Sequence, residues 1–218
     1  MTRLISLFSA LLTISGAAAQ QYWHIGSDGK KLEFVMTDGN FPHSDHIEMS
    51  GESVSFVLRW ELDRDGCFNE DRSLVFPMLR TIPNNTHASL MCRVNTDIPS
   101  LLNVNNVSLR QVAARRIEIN GALKVVSDYL ADPVRNRYRP GGVPVRITRT
   151  IFPSVKLPVI CERYEMENTG PKPVALSIPE FSQVFTSPQE KGVGGSYLIR
   201  ADIQGSGHYV LQPGERVV

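Results

Sequence analysis

The stretch VSFVLRWEL, residues 54–62, sets Val54, Phe56, Leu58, Trp60 and Leu62 two apart, with Ser55, Arg59 and Glu61 between them. Successive side chains of a strand point to opposite faces, so this alternation predicts a half-buried β-strand. Asp65-Gly66 follows as a turn, and a second run returns as far as Phe76. Reading outward, the same grammar repeats. Residues 22–25 and 32–36 flank Ser27-Asp28-Gly29. Residues 116–130 hold Ile117 and Ile119, then Asn120-Gly121, then Leu123 and Val125. Asn-Gly between alternating runs predicts a hairpin with a type I′ turn. Asn168-Thr169-Gly170 is expected to join residues 159–167 to 174–178, and Gly205-Ser206-Gly207 to join 197–203 to 208–211. The best helical candidate is residues 108–116, and it is short. These patterns predict an all-β fold, an antiparallel β-sandwich (large or double) built from hairpins with little helix.

The first residues read differently. Arg3 precedes the apolar run LISLFSALLTI at 4–14, and Ala17-Ala18-Ala19 supplies small residues for cleavage. A run of about 11 residues is too short for a span of about 20, so residues 1–19 are expected to be a signal peptide. Cleavage before Gln20 or Gln21 leaves residues 20–218 as one exported β-sandwich domain, periplasmic or extracellular, with no membrane span. Its end, Leu211-Gln212-Pro213-Gly214-Glu215 followed by Arg216-Val217-Val218, looks like a turn and the first residues of a closing strand. The domain is therefore expected to be cut before that strand's end.

With 23 basic and 22 acidic residues the formal net charge is +1. No long basic run exists, which argues against nucleic acid and anionic membranes as partners. Cys67, Cys92 and Cys161 allow three pairings, match no zinc spacing, and are expected to be buried thiols. Asn84-Asn85-Thr86 and Asn106-Val107-Ser108 have the form of glycosylation sequons. Residues 132–142 (DPVRNRYRPGG) carry no apolar period and read as a surface loop.

The densest polar cluster is His43-Ser44-Asp45-His46-Ile47-Glu48. In an extended segment His43 and Asp45 share one face and His46 and Glu48 the other. Such spacing suits an acid/base pair or a sugar-contacting loop, but equally a hydrogen-bonded strand entry. No H-E-x-x-H or C-x-x-C accompanies it, so neither metal nor cofactor is expected. Residues 77–90 (PMLRTIPNNTHASL) gather Arg80, Asn85 and His87, donors suited to carbohydrate hydroxyls or to bracing a long turn. The sugar-contacting residues expected are thus His43, Asp45, His46, Glu48, Arg80, Asn85 and His87, converging in space. Trp23 is the freest aromatic platform, whereas Trp60 lies in core register. No carboxylate pair can be singled out as glycosidic acid and base, G-x-S-x-G is absent, and Gly192–Gly195 reads as a hairpin connection.

Three strings, HSDHIEMSG at 43–51, PMLRTIPNNTHASL at 77–90 and ITRTIFPS at 147–154, resemble the N-terminal β-sandwich region of exported bacterial six-hairpin, (α/α)₆-barrel glycosidases of the α-L-rhamnosidase-like type. The resemblance runs from about residue 22 to the C-terminus. It implies part of a glycoside hydrolase acting on plant or microbial polysaccharide. The catalytic carboxylates would lie in a downstream helical barrel missing here, so this chain alone would not be catalytic. The alternatives are a stand-alone carbohydrate-binding module and a structural surface domain.

Overall fold

A computed structural model describes residues 23–36, 41–83, 88–94, 96–132 and 142–218. Residues 1–19, expected to be a signal peptide, together with Asn85, His87 and most of residues 132–142, lie outside these residues. The chain runs through β1 (Trp23–Ile25), β2 (Leu32–Val35), β3 (His43–Ser50), β4 (Ser55–Leu62), β5 (Phe68–Arg80) and β6 (Ser89–Arg93). A single helical turn, α1 (Ile98–Leu101), precedes β7 (Asn103–Val104), β8 (Val107–Ile119), β9 (Leu123–Ala131), β10 (Val143–Pro153) and β11 (Ile160–Asn168). It ends with β12 (Val174–Ile178), β13 (Ser182–Thr186), β14 (Leu198–Asp202), β15 (Gly207–Leu211) and β16 (Arg216–Val217).

All pairings are antiparallel. A 10-stranded sheet runs β15-β12-β7-β8-β9-β10-β11-β16, with β2 also on β8 and β1 on β2; β3-β4-β5-β6 form a 4-stranded sheet and β13-β14 a 2-stranded one. The four-stranded sheet lies across half of the large one. Phe56, Leu58, Trp60 and Leu62 meet Phe34, Ile117, Leu123 and Ile151 in one core. The other half of the large sheet curls nearly closed, packing Leu102, Val104, Ile147, Met166, Leu176 and Leu211 into a second core. Strands β8 to β10 serve both, which is why they are long. No helix among the described residues is long and apolar enough to cross a membrane.

Five local expectations are corrected. Residues 108–116 are strand, not helix: they lie within β8, whose register slips between Gln111 and Ala113 and between Ala114 and Arg116, and such bulges break the period-two pattern. The Asn-Gly loop has three residues, since Ile119 pairs with Leu123, and Gly121 alone of the three has positive φ, at 66°. The two-residue turn with both φ positive is Asn105-Asn106, at 51° and 63°, between β7 and β8. Asparagine tolerates this left-handed region because its short amide bonds locally.

Neither of the last two expected hairpins forms either. β11 pairs with β10 and β16, while β12 pairs with β7 and β15. Asn168, fully buried, makes the crossing between them: its amide donates to the Lys172 and Leu211 carbonyls at 2.8 and 2.9 Å, and its Oδ1 accepts from Gly170 N–H. β14 pairs with β13, so residues 205–207 also carry the chain from one sheet to another. The three cysteines form no disulfide with one another and are half-buried rather than buried.

Candidate functional site

The β3 cluster alternates as its extended form requires, with His43 and Asp45 half-buried and His46 and Glu48 exposed. The inward pair is built into the core. The His43 ring stacks on Phe34 with centroids 4.9 Å apart and lies 5.4 Å from Trp60. Asp45 Oδ2 accepts the Trp23 indole N–H at 3.1 Å, and Trp23 packs edge-on against Phe34 and Trp60. The aromatic expected to be freest is thus held by the carboxylate expected to touch sugar.

Arg80 does not join them. His43 pairs with Leu62, and Leu62 with Phe68, whereas Arg80 closes the far end of β5 beside Ser89. At about 3.3 Å per residue the two lie on the order of 35 Å apart along the strand. Arg80 therefore does not share a rim with His43 and Asp45, because β5 carries it to the far end of the sheet; Asn85 and His87 lie outside the described residues.

A different set of residues converges. An open cleft of about 1020 Å³ lies between the start of β5, the segment 96–100 and the inner face of β8 to β11. Its floor is a cluster of four charges that joins the two sheets. From β5 come Glu70 and Arg72; from β10 and β11 come Arg149, Glu162 and Tyr164. Arg149 Nη1 lies 2.8 Å from Glu70 Oε1, its Nε lies 3.2 Å from Glu162 Oε2, and its guanidinium sits 5.9 Å from the centre of the Tyr164 ring. Arg72 bridges the same carboxylates, reaching Glu70 Oε1 at 3.2 Å and Glu162, and donates to the Thr96 carbonyl. Tyr164 O–H donates to Glu162 Oε2 at 2.6 Å.

Charges this deep stand only when paired and hydrogen-bonded. Burial pushes the Glu162 carboxyl up, but Arg149 and Arg72 outweigh it and hold the group below the ordinary range. Glu162 is therefore a fixed anion and a poor proton donor. Burial, reinforced by the Glu162 charge, drives the Tyr164 hydroxyl well above its usual pKa, so it stays protonated and donating. Burial and then Asp97 do the same to Tyr129, which lines the cleft further along.

Arg149 Nε and Nη2 and Glu70 Oε2 are buried without a hydrogen-bond partner among the described residues, although Arg149 keeps its ionic contacts with both carboxylates. Above them the walls carry Asn69, Asp97, Ser100, Ser108 and Tyr129. At the cleft's end Gln111 lies 3.2 Å from Ser127 Oγ, and with its amide turned to satisfy both ends it meets Phe68 N and O at 3.0 Å each. No group of three or more His, Cys, Asp or Glu placed to hold a metal occurs among the described residues.

The cluster left a signal in the sequence. In residues 145–151 Arg149 takes an inward position between Ile147 and Ile151; in 160–168 Glu162 and Tyr164 precede Met166; in 68–76 Glu70 and Arg72 fall between Phe68 and Leu74. Charged residues at core register on three strands mark a buried polar site once the alternation is set. No family model, curated protein or solved structure matches the chain.

Proposed function

We propose that the chain is a sugar-binding β-sandwich of an exported carbohydrate-active protein, and that the cleft floored by Arg149 and Glu70 is where the sugar sits. The observation that carries this is an open cleft lined mostly by polar side chains above the buried Glu70–Arg149 pair. Sugar hydroxyls both donate to and accept from such a lining, and charge-assisted bonds contribute about 1.5–3 kcal/mol each. The walls fit a neutral polyhydroxylated ligand: they mix hydroxyls, amides and carboxylates, with Tyr129 as the apolar surface. The resemblance to the N-terminal region of α-L-rhamnosidase-like glycosidases supports the same class of ligand. On this reading the chain binds or positions polysaccharide, and Glu162, held ionised, is not a proton donor to it.

Electrophoresis of the full chain through gels containing neutral plant or microbial polysaccharides tests this. At least one polymer should retard it, and Ser108→Trp, which fills the cleft from its exposed wall, should abolish the retardation with Tm moved by less than about 2 °C. A purely structural domain is the second reading, favoured by the way the four charges bridge the two sheets. Retardation by no polymer, or retardation that survives Ser108→Trp, decides for it.

A further inference from the structure

The large sheet has a second charged face, on the side away from the cleft. Along β10, Val145, Ile147 and Ile151 are buried and Arg149 enters the floor cluster, while Arg146 and Thr148 line a separate groove of about 440 Å³. Arg115 and Arg116 of β8, Lys124 of β9 and Arg216 of β16 complete its cations, with Glu165 and Glu167 of β11 below. In sequence these five cations span 102 positions (216 − 115 + 1) and form no run. Strand pairing alone collects them: Arg116 pairs with Val126, Val126 with Thr148, and Thr148 with Glu165.

The groove is layered by charge. Its cations have side chains 38 to 60% exposed, whereas the acids that hold them are 5 to 25% exposed. Glu118, the deepest at 5%, holds Arg116 Nε at 2.8 Å and Lys124 Nζ at 3.2 Å. Asp128 holds Arg146 Nε at 2.9 Å and also pairs with Arg115. Arg216 lies 3.2 Å from both Glu165 and Glu167. The acids thus orient the cations from beneath, and the solvent meets positive charge. An ordinary solvated face interleaves both signs at the surface; this one does not.

We propose that this groove binds an acidic polysaccharide, a chain carrying one carboxylate per sugar, independently of the sugar in the cleft. Arginines suit carboxylates because the planar guanidinium donates two parallel hydrogen bonds. The four acids beneath partly neutralise the groove, which matches a sparsely charged polymer rather than the dense phosphates of nucleic acid. No aromatic residue among the described ones lines it, so the bases of single-stranded nucleic acid find no side chain there to stack on. With a net charge of +1 the chain as a whole steers no polyanion, and affinity must come from this groove.

The test is affinity electrophoresis of the full chain in gels containing polygalacturonate, its fully methyl-esterified form, or single-stranded DNA. Polygalacturonate should retard the protein at about 50 mM salt and bind at least about tenfold more weakly at about 500 mM. The esterified polymer, with the same backbone and no charge, should not retard it. Arg116→Gln with Arg146→Gln should weaken binding at least about tenfold, and the paired Arg→Lys changes should keep part of it, since lysine retains the charge but not the fork. If the glutamine pair lowers Tm by more than about 10 °C, Lys124→Ala with Arg216→Ala takes its place. Equal retardation by the ester, tighter binding of DNA, no retardation, or retardation unmoved by either variant pair overturns the proposal. Ser108→Trp should leave polygalacturonate binding unchanged, which separates failure here from failure of the cleft.

Discussion

Arg149→Met is the most informative single change to the cleft floor. It deletes the contacts to Glu70 at 2.8 Å and to Glu162 at 3.2 Å while keeping an unbranched apolar stem against Tyr164. Removing one partner from a buried ion pair costs about 3–5 kcal/mol, because the opposite charge stays behind without compensation. Here Arg72 still touches both carboxylates, so the loss belongs at the lower end, about 3 kcal/mol. For a domain of this size that corresponds to a fall in Tm of roughly 6–12 °C. Urea unfolding at neutral pH reads it as a lower midpoint at constant slope. Adding Glu70→Gln to Arg149→Met removes one charge of each sign and should recover at least about 1 kcal/mol, a coupling expected of direct neighbours. A single variant within about 0.5 kcal/mol of the parent, or a double variant whose losses simply add, would refute the view that these charges hold one another in place.

Asp45→Ala should cost about 1–3 kcal/mol by leaving the Trp23 indole N–H without its acceptor, and should not alter sugar binding; a melt and a binding assay on one sample check both. Asn168→Ala should be more damaging, at least about 3 kcal/mol, since three bonds at the crossing from β11 to β12 go at once; soluble yield and urea midpoint report it. The pH dependence has two limbs. Glu162, lowered in the fold from 4.5, contributes stability above about pH 4.5 that is lost as the pH falls below it, and Glu162→Gln should flatten that acid limb in a Tm-against-pH series. Tyr164, raised in the fold from 10.0, contributes stability that is complete below pH 10 and lost as the pH rises beyond it, so Tyr164→Phe should flatten the alkaline limb.

How far the sequence speaks depends on range. Alternation is a local property, so residues 54–62 announce β4, and the five apolar side chains spaced two apart, Val54 to Leu62, are all buried. Turn chemistry is local too, yet it does not decide which strand pairs with which. Gly205-Ser206-Gly207 has the composition of a hairpin turn, but β14 pairs with β13 and β15 with β12, in different sheets. The His43–Glu48 cluster depends on register in a related way. Polar density in sequence is not polar exposure, and His43 and Asp45 lie on the inward face, where aromatic neighbours engage them. The reverse holds for Arg149, which hides in a sequence of ordinary alternation and matters because of its register.

Register is also what separates the two candidate sites. Arg146 and Arg149 sit three residues apart on β10 and therefore face opposite sides of one sheet. The outward arginine costs the fold little, since water solvates whatever its acids do not. The inward one needs two carboxylates, a tyrosine and a second arginine to be tolerated at all, and an apolar side chain there would stabilise the fold at least as well. Stability alone does not account for four charges on the inner faces of two sheets. A polar cleft lies over them, and the proposed sugar ligand accounts for a placement that stability does not. If Arg149→Met with Glu70→Gln restores stability and still loses neutral sugar, the cluster is there for the ligand; if sugar binding survives the pair, its placement belongs to the history of the fold.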